Sequence, residues 1–187
     1  MPPLCARCGA PTVWPVERCR ECAGRRLGFA TARAAVEYDD AVRRIVGGWK
    51  ERGLRRLAAE AAALIADAVP RPAVDTLTFV PPDGDRRLLR GHHPAEQLAR
   101  ELGRRWELPV ELLLKRIGPA RRQRGLSLVE RRRNVRGAFR GTCAAPPVIC
   151  LADDVYTSGA TASAAAQALR KAGARRVEVV CFARAVR

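Results

Sequence analysis

The sequence is poor in aromatic side chains and in lysine. Phe, Trp and Tyr make up only 5% of its 187 residues, whereas apolar residues make up 48%, so we expect a mostly aliphatic core. The 35 basic residues include three lysines, Lys50, Lys115 and Lys171, and the rest are arginines. With 19 acidic residues the formal net charge is +16, which excludes the acidic composition of many disordered chains.

Long apolar runs are also missing. The best one, 58–69, is too short to span a bilayer and contains Glu60 and Asp67, so no transmembrane helix is predicted. Residues 1–5 contain no apolar signal core, and we therefore expect a cytoplasmic protein whose thiols stay reduced. The length predicts one ordinary domain with a small appendage.

Positive charge is the main compositional feature. A large excess of arginine favours polyanionic partners such as nucleic acid, phosphorylated ligands or acidic membrane surfaces. The alternative is a compositional bias in which the arginines are simply solvated, and outside 115–140 the two interpretations are equally supported. Within 115–140 the arginines are densest: Arg116, Arg121, Arg122, Arg124, Arg131, Arg132, Arg133, Arg136 and Arg140.

The apolar pattern predicts strands that alternate with helices. A strand or a hairpin is predicted at 29–38, and strands are predicted at 74–80, 109–114, 148–152 and 177–182. Helices are predicted after an Asp39 or Asp40 cap, at 54–69 before Pro70, from Pro94 to Trp106, and at 161–172 before Gly173. Since the 148–152 run is apolar on both faces, we expect an α/β fold with a parallel sheet flanked by helices.

Four of the seven cysteines form two Cys-x-x-Cys pairs: Cys5, Cys8, Cys19 and Cys22. Two such pairs separated by ten residues can complete a tetrahedral, closed shell of four sulfurs for a structural zinc ion. Two disulfides are the alternative, which a reducing compartment disfavours. The other three are expected to be small buried hydrophobes: Cys143, Cys150 and Cys181.

The segment 148–167 carries the most chemical information. Its buried strand ends in Asp153 and Asp154, and a small-residue turn then leads into a helix. Backbone amides of such a turn converge on an anion, and the hydroxyls of Thr157, Ser158 and Thr161 add donors. The acids suit hydroxyls or a divalent cation, but at least one must leave strand geometry for both to reach one ligand.

An ordinary helix cap with surface acids is the alternative to an anion site at this segment. A cap explains Ser158 or Thr161, but it does not explain two acids at the end of a buried strand. The chain has no Gly-x-Gly-x-x-Gly and no Gly-Lys-Ser/Thr sequence, which excludes a dinucleotide fingerprint and a Walker loop.

The sequence 152–161, ADDVYTSGAT, resembles the phosphoribosyl pyrophosphate (PRPP) motif of type I phosphoribosyltransferases. The resemblance implies that Asp153 and Asp154 hold the ribose 2′ and 3′ hydroxyls. It implies that the 5′-phosphate is cradled by Thr157, Ser158, Gly159, Ala160 and Thr161. Pyrophosphate would be bound together with Mg²⁺.

The whole chain resembles one branch of that superfamily, the competence protein F (ComF) family. Beyond the cysteine pairs and the PRPP motif, the matching residues are Tyr38, Lys50-x-x-Gly53, Val80-Pro81, Arg90-Gly91, Ala95-Glu96-Gln97-Leu98-Ala99, Gln123-x-x-Leu126, Arg131-x-x-Asn134, Gly137-Ala138-Phe139 and Phe182-Ala183-Arg184. The resemblance implies a zinc ribbon at 1–27 and a type I phosphoribosyltransferase-like domain at 28–187, with a flexible hood at about 115–140.

The resemblance also suggests residues for the other side of the site. Arginines after the second strand would approach pyrophosphate, with solvation as the alternative: Arg86, Arg87 and Arg90. Hood contacts would come from Lys115, Arg116 and Arg131. His92 and His93 suit a general base near neutral pH, although a loop position before the Pro94 helix explains them as well.

Two functions follow as expectations. The first is a PRPP-binding ComF-family protein that acts in DNA uptake and natural transformation and handles single-stranded DNA. The second is an active phosphoribosyltransferase that transfers ribose 5-phosphate to an amine or nucleobase nitrogen and releases pyrophosphate. Aromatics for base stacking are scarce within 115–140, where Phe139 is the only one. A zinc ribbon that only binds nucleic acid leaves 153–161 unexplained.

Overall fold

The computed structural model describes residues 2–82, 92–117, 135 and 137–186. Its strands are β1 (Thr31–Glu37), β2 (Thr76–Phe79), β3 (Leu114–Arg116), β4 (Phe139–Gly141), β5 (Val148–Tyr156) and β6 (Arg176–Arg184). Its helices are α1 (Asp40–Arg52), α2 (Leu57–Ala68), α3 (Pro94–Trp106) and α4 (Ala160–Lys171). Among these described residues, no helix combines the length and the apolar character needed to cross a membrane.

Four strands form a parallel sheet in the order β1-β6-β5-β2. The two central strands lie in register with Ala152 opposite Val180. β3 and β4 form a separate antiparallel pair. The predicted α/β fold with a parallel sheet flanked by helices, and with a cysteine cluster near the N-terminus, is confirmed.

Alternating side chains of β5 divide the core into two layers. Ile149 and Leu151 pack with α4 and with the cysteine segment on one side of the sheet. Cys150 and Ala152 pack on the other side with α1, α2 and α3, whose buried side chains include Trp49. A strand covered on both faces has to be apolar at successive positions, which explains the run that predicted it.

Local rules account for the helix ends. The Asp39 carboxylate accepts a hydrogen bond of 2.8 Å from the Val42 amide and caps α1. Gly53 ends the same helix at φ +67°, a conformation that glycine adopts without steric penalty. Pro94 lies in the first turn of α3, as predicted.

Three sequence-based expectations are wrong in detail. The strand predicted at 109–114 is reduced to a single bridge between Leu77 and Val110, and the regular strand β3 starts only at Leu114. The reason is that the hydrogen-bonded partner of β3 is β4, which is distant in the sequence, with Leu114 opposite Gly141. Cys143 is exposed rather than buried, whereas Cys150 and Cys181 are buried. The third expectation was that the strand ends at Asp153 and Asp154, whereas β5 continues to Tyr156.

Candidate functional site

A cleft of about 280 Å³ opens at the carboxyl ends of β2 and β5. The pairing of these strands stops at Phe79 and Ala152, so the rest of β5 has lost its neighbour on that side. Ligands of open α/β sheets bind in such crevices. The lining residues are Tyr38, Lys50, Val80, Pro81, Pro82, His92, His93, Pro94, Ala95, Arg116, Asp153, Asp154, Val155, Thr157 and Thr161.

Asp153 and Asp154 both line this cleft, but neither leaves the strand. We expected β5 to end at the acids, whereas it continues to Tyr156, with Asp153 opposite Cys181 and Val155 opposite Ala183. Both acids reach one cleft because it opens beside the strand once β2 has ended. The requirement that one acid break the strand was therefore wrong.

The two carboxyl groups differ in their electrostatic surroundings. Burial, together with the neighbouring Asp154 charge, raises the pKa of Asp153 to about 7, although the Lys50 ammonium opposes that shift. Asp154 instead forms an ion pair with Lys50, with Nζ and Oδ1 2.7 Å apart. The site therefore holds one carboxylate paired with an ammonium beside a second carboxyl group whose pKa is raised.

Lys50 is a site residue whose position sequence reasoning missed. It lies on α1, and burial acts to lower its pKa, but Asp154, together with Asp153 and Tyr38, acts in the opposite direction and the pKa is raised. A pair separated by 104 positions leaves no local pattern. The available signal was the match of Lys50-x-x-Gly53 to the ComF family, which gave Lys50 no role in the site.

The turn after β5 has the geometry expected for an anion-binding turn. Gly159 adopts φ +68° and precedes the first residue of α4. Thr157 and Thr161 line the cleft. Ser158 is buried instead: its Oγ accepts a hydrogen bond from the Ala160 amide and its carbonyl oxygen accepts one from Arg25. The N-cap residue of α4 is Gly159, so neither Ser158 nor Thr161 takes the cap position that the alternative interpretation assigned to one of them.

A buried arginine supports this turn from the other side. Arg184 is only 4% exposed, and its guanidinium lies 4.5 Å from the centre of the Tyr156 ring. It donates hydrogen bonds to the Cys8 carbonyl oxygen, at 2.6 Å, and to the Glu21 carboxylate, at 2.7 Å. A continuous set of contacts thus joins the cysteine segment to the residue that begins the turn.

The opposite wall contains several of the other predicted residues. Arg116 stacks over Phe139 at 5.3 Å, and its neighbour Lys115 is exposed and does not line the cleft. His92 Nε2 lies 2.9 Å from the Trp49 carbonyl oxygen, and His93 Nδ1 lies 3.7 Å from a Glu96 carboxylate oxygen. Outside the described residues lie Arg86, Arg87, Arg90, Arg131 and most of the expected hood.

The four N-terminal cysteines fit a metal ion. Their Sγ atoms all lie within 4.8 Å of one another, with Cys5 3.7 Å from Cys22 and Cys8 3.5 Å from Cys19. Tetrahedral zinc with Zn–S bonds of about 2.3 Å separates its sulfur atoms by about 3.8 Å. All four are free thiols, so the disulfide alternative is not realised. The cluster could bind a metal such as zinc.

Backbone amides favour the thiolate form of one of these cysteines. Burial would raise the pKa of Cys5, but hydrogen bonds from the backbone of Cys8, Cys19 and Arg7 outweigh burial and lower the pKa to about 7. A lowered thiol pKa suits a metal ligand, because the thiolate is the form that coordinates. Burial instead raises the pKa of Cys8 and of Cys22.

Comparison with known proteins gives relatives of nearly the same length. No family model matches the chain. Competence protein F of Haemophilus influenzae is 26% identical over 98% of this chain and 85% of its own. DNA utilization protein YhgH of Salmonella typhi is 28% identical over 97% of this chain and 84% of its own length, and YhgH of Salmonella typhimurium has the same values.

Among solved structures, the crystal structure of TT1426 from Thermus thermophilus matches 67% of this chain and 82% of its own, with 18% identity and a TM-score of 0.40. The curated relatives, by contrast, align with the cysteine segment, the sheet and the crevice together. This similarity over nearly the whole chain supports the resemblance to the competence protein F (ComF) family.

Proposed function

We propose that this protein binds PRPP in the crevice at the end of β5 and acts in DNA uptake, where it handles single-stranded DNA. The observation that carries the PRPP proposal is one cleft lined by Asp153, Asp154, Thr157 and Thr161. The DNA role rests on the names of the relatives, a competence protein and a DNA utilization protein, and on the net charge of +16.

The cleft matches the two ends of a phosphorylated sugar. The 5′-phosphate lies at the N-terminus of α4, where the helix dipole favours an anion. The ribose hydroxyls donate to Asp153 and Asp154, which are acceptors when ionised. Mg²⁺ would accompany the pyrophosphate, for which Arg116 is the candidate contact among the described residues. The resemblance implies Arg87, Arg90 and Arg131 as further contacts.

The proposal includes an organisation of the chain. Residues 1–27 form a zinc ribbon with a structural metal ion, residues 28–187 form the phosphoribosyltransferase-like domain, and the protein works in the cytoplasm. The closed shell of four sulfurs leaves no position for a catalytic water, so zinc would hold the N-terminal segment in shape.

Titration calorimetry with PRPP and Mg²⁺ tests the PRPP proposal. The double variant Asp153→Asn, Asp154→Asn removes two charged acceptors, and about 1.5–3 kcal/mol for each hydrogen bond predicts affinity weaker by at least about 100-fold. Asp67→Asn, an exposed acid on α2, is the control and binds like the wild type. Unchanged affinity of the folded double variant would refute the assignment of these acids.

An active phosphoribosyltransferase is the second candidate. In that reaction the nitrogen lone pair of an acceptor bonds to C1, the C1–oxygen bond to pyrophosphate breaks, and the nitrogen loses a proton to a base. The observation in its favour is that His92 and His93 line the same cleft as Asp153, whose pKa is raised to about 7. Release of pyrophosphate that requires one particular amine or base supports catalysis, and PRPP binding without any release argues for a binding protein.

A further inference from the structure

The cysteine segment presents an exposed tryptophan. Of the three tryptophans, Trp49 and Trp106 are 0% and 5% exposed, whereas Trp14 is 66% exposed, and its neighbour Val13 is 85% exposed. Both lie between the two cysteine pairs. A large aromatic side chain left in water at the tip of a loop is typical of a binding surface.

The loop that carries Trp14 is held in a defined shape. The Ala6 amide donates to the Val16 carbonyl oxygen at 2.9 Å, and the Thr12 amide donates to the Pro3 carbonyl oxygen at 2.8 Å. The cysteine cluster closes the base of the loop. Trp14 is therefore presented by a scaffold that is ordered before a partner arrives, which lowers the entropy lost on binding.

The surroundings of Trp14 are basic. A cleft of about 350 Å³ is lined by Trp14 together with Arg18 and Arg20, both exposed. The one acid in this cleft is Glu21, and its carboxylate is engaged by the buried Arg184 at 2.7 Å. The remaining charges of this cleft are therefore positive, and the exposed Glu17 lines a different cleft together with Arg18.

We propose that the Trp14 surface, made of Val13, Trp14, Arg18 and Arg20, is a stacking site for single-stranded nucleic acid. A base stacks on the indole ring, and the two guanidinium groups contact the adjacent phosphates. Two arginines beside a single aromatic ring complement a polyanion with exposed bases better than the apolar core of a protein partner. The inference rests on the proposed handling of single-stranded DNA and names the surface that performs it.

Tryptophan fluorescence of the full-length protein tests this surface directly. Because Trp49 and Trp106 are buried, quenching by an added oligothymidylate of about 15 nucleotides reports on Trp14. We expect Trp14→Ala to abolish the quenching and to weaken binding of a dye-labelled oligonucleotide about 5- to 150-fold, as stacking of about 1–3 kcal/mol per base implies. Trp14→Phe keeps a stacking ring and retains most of the affinity.

Arginine variants separate the local contacts from net charge. Arg18→Ala with Arg20→Ala lowers the slope of log affinity against log salt by about 1.4, since about 0.7 is expected for each single-strand phosphate contact. The control removes the same charge from α1 through Arg43→Ala with Arg44→Ala, two exposed arginines. Zinc content, measured for every variant, identifies any loss of the cysteine cluster.

The outcomes distinguish this inference from the proposed function. Wild-type protein that binds no single-stranded DNA overturns both. Wild-type binding that is unchanged in Trp14→Ala, or equally weakened in Trp14→Phe and Trp14→Ala, overturns the stacking site and leaves the DNA role standing. Quenching in the wild type, weak binding by zinc-replete Trp14→Ala and retained binding by Trp14→Phe support the inference.

Discussion

Replacing Gly159 with alanine tests whether the turn at the start of α4 is built as described. Gly159 adopts φ +68°, where an L-residue such as alanine is about 1–2 kcal/mol less stable. A Cβ atom built there overlaps the Tyr156 hydroxyl oxygen and lies 2.5 Å from the ring carbon that carries it. Tyr156 cannot easily move away, because Arg184 stacks on its ring.

The two effects can be added. Overpacking of a close-packed site costs about 1–3 kcal/mol, so Gly159→Ala should lose about 2–5 kcal/mol of the free energy of unfolding. That is a large part of the stability of a typical domain. We also expect PRPP affinity to fall, because the amides of this turn form the proposed phosphate site. Urea-induced unfolding and titration calorimetry measure the two quantities.

Gly24 provides a matched control. It has the same φ of +68°, but a Cβ atom there meets nothing within 4 Å, so Gly24→Ala should show the backbone penalty alone. The additional variant Tyr156→Phe removes the closest oxygen and should restore part of the stability of Gly159→Ala. Equal losses in Gly159→Ala and Gly24→Ala would refute the claim that Tyr156 packs against the turn.

Three further predictions follow from the buried charges. The pKa of Asp153 is raised from 3.8 to about 7, so the folded state binds more protons than the unfolded state in that interval, and stability falls as pH rises from about 4 to 7. Asp153→Asn should abolish this fall, measured by urea unfolding at several pH values. A variant with the same pH profile as the wild type would contradict the prediction. Lys50→Met should raise the pKa of Asp153 further, because the Lys50 ammonium lowers that pKa. NMR titration of the Asp153 carboxyl group measures the shift, and Lys115→Met, at an exposed position, is the control. An unchanged titration of Asp153 in Lys50→Met would contradict the proximity of the two groups. Arg184→Met leaves Glu21 without its partner and should lower the free energy of unfolding, measured in urea, by about 3 kcal/mol. Arg176→Met, in an exposed pair with Glu178, should lower it by less than about 1 kcal/mol. Similar losses in the two variants would show that the buried ion pair contributes no more than the surface one.

Features set by neighbouring residues could be predicted from the sequence. The cap at Asp39, the helix start at Pro94 and the left-handed Gly159 depend on local chemistry, and all three are present. The two cysteine pairs predicted a thiol cluster because each Cys-x-x-Cys spacing brings two sulfur atoms together and two such pairs are typical of a four-sulfur metal site.

Features set by distant parts of the chain could not be predicted. The ion pairs Lys50–Asp154 and Arg184–Glu21 join residues 104 and 163 positions apart, and no local pattern marks either one. The position of β3 depends on β4, and the extension of β5 to Tyr156 depends on β6, which pairs with it as far as Arg184. Sequence motifs thus identified the acids of the site but not the charges that surround them.

The most direct test of the central claim follows the backbone amides of Gly159 and Ala160 by NMR while PRPP and Mg²⁺ are added. These two amides begin the helix α4, where the proposed 5′-phosphate lies. We predict large, saturable shifts of both signals, together with shifts of Thr157 and Thr161, and much smaller shifts when ribose without phosphate is added. Saturation of the protein without any change at these amides would contradict the account.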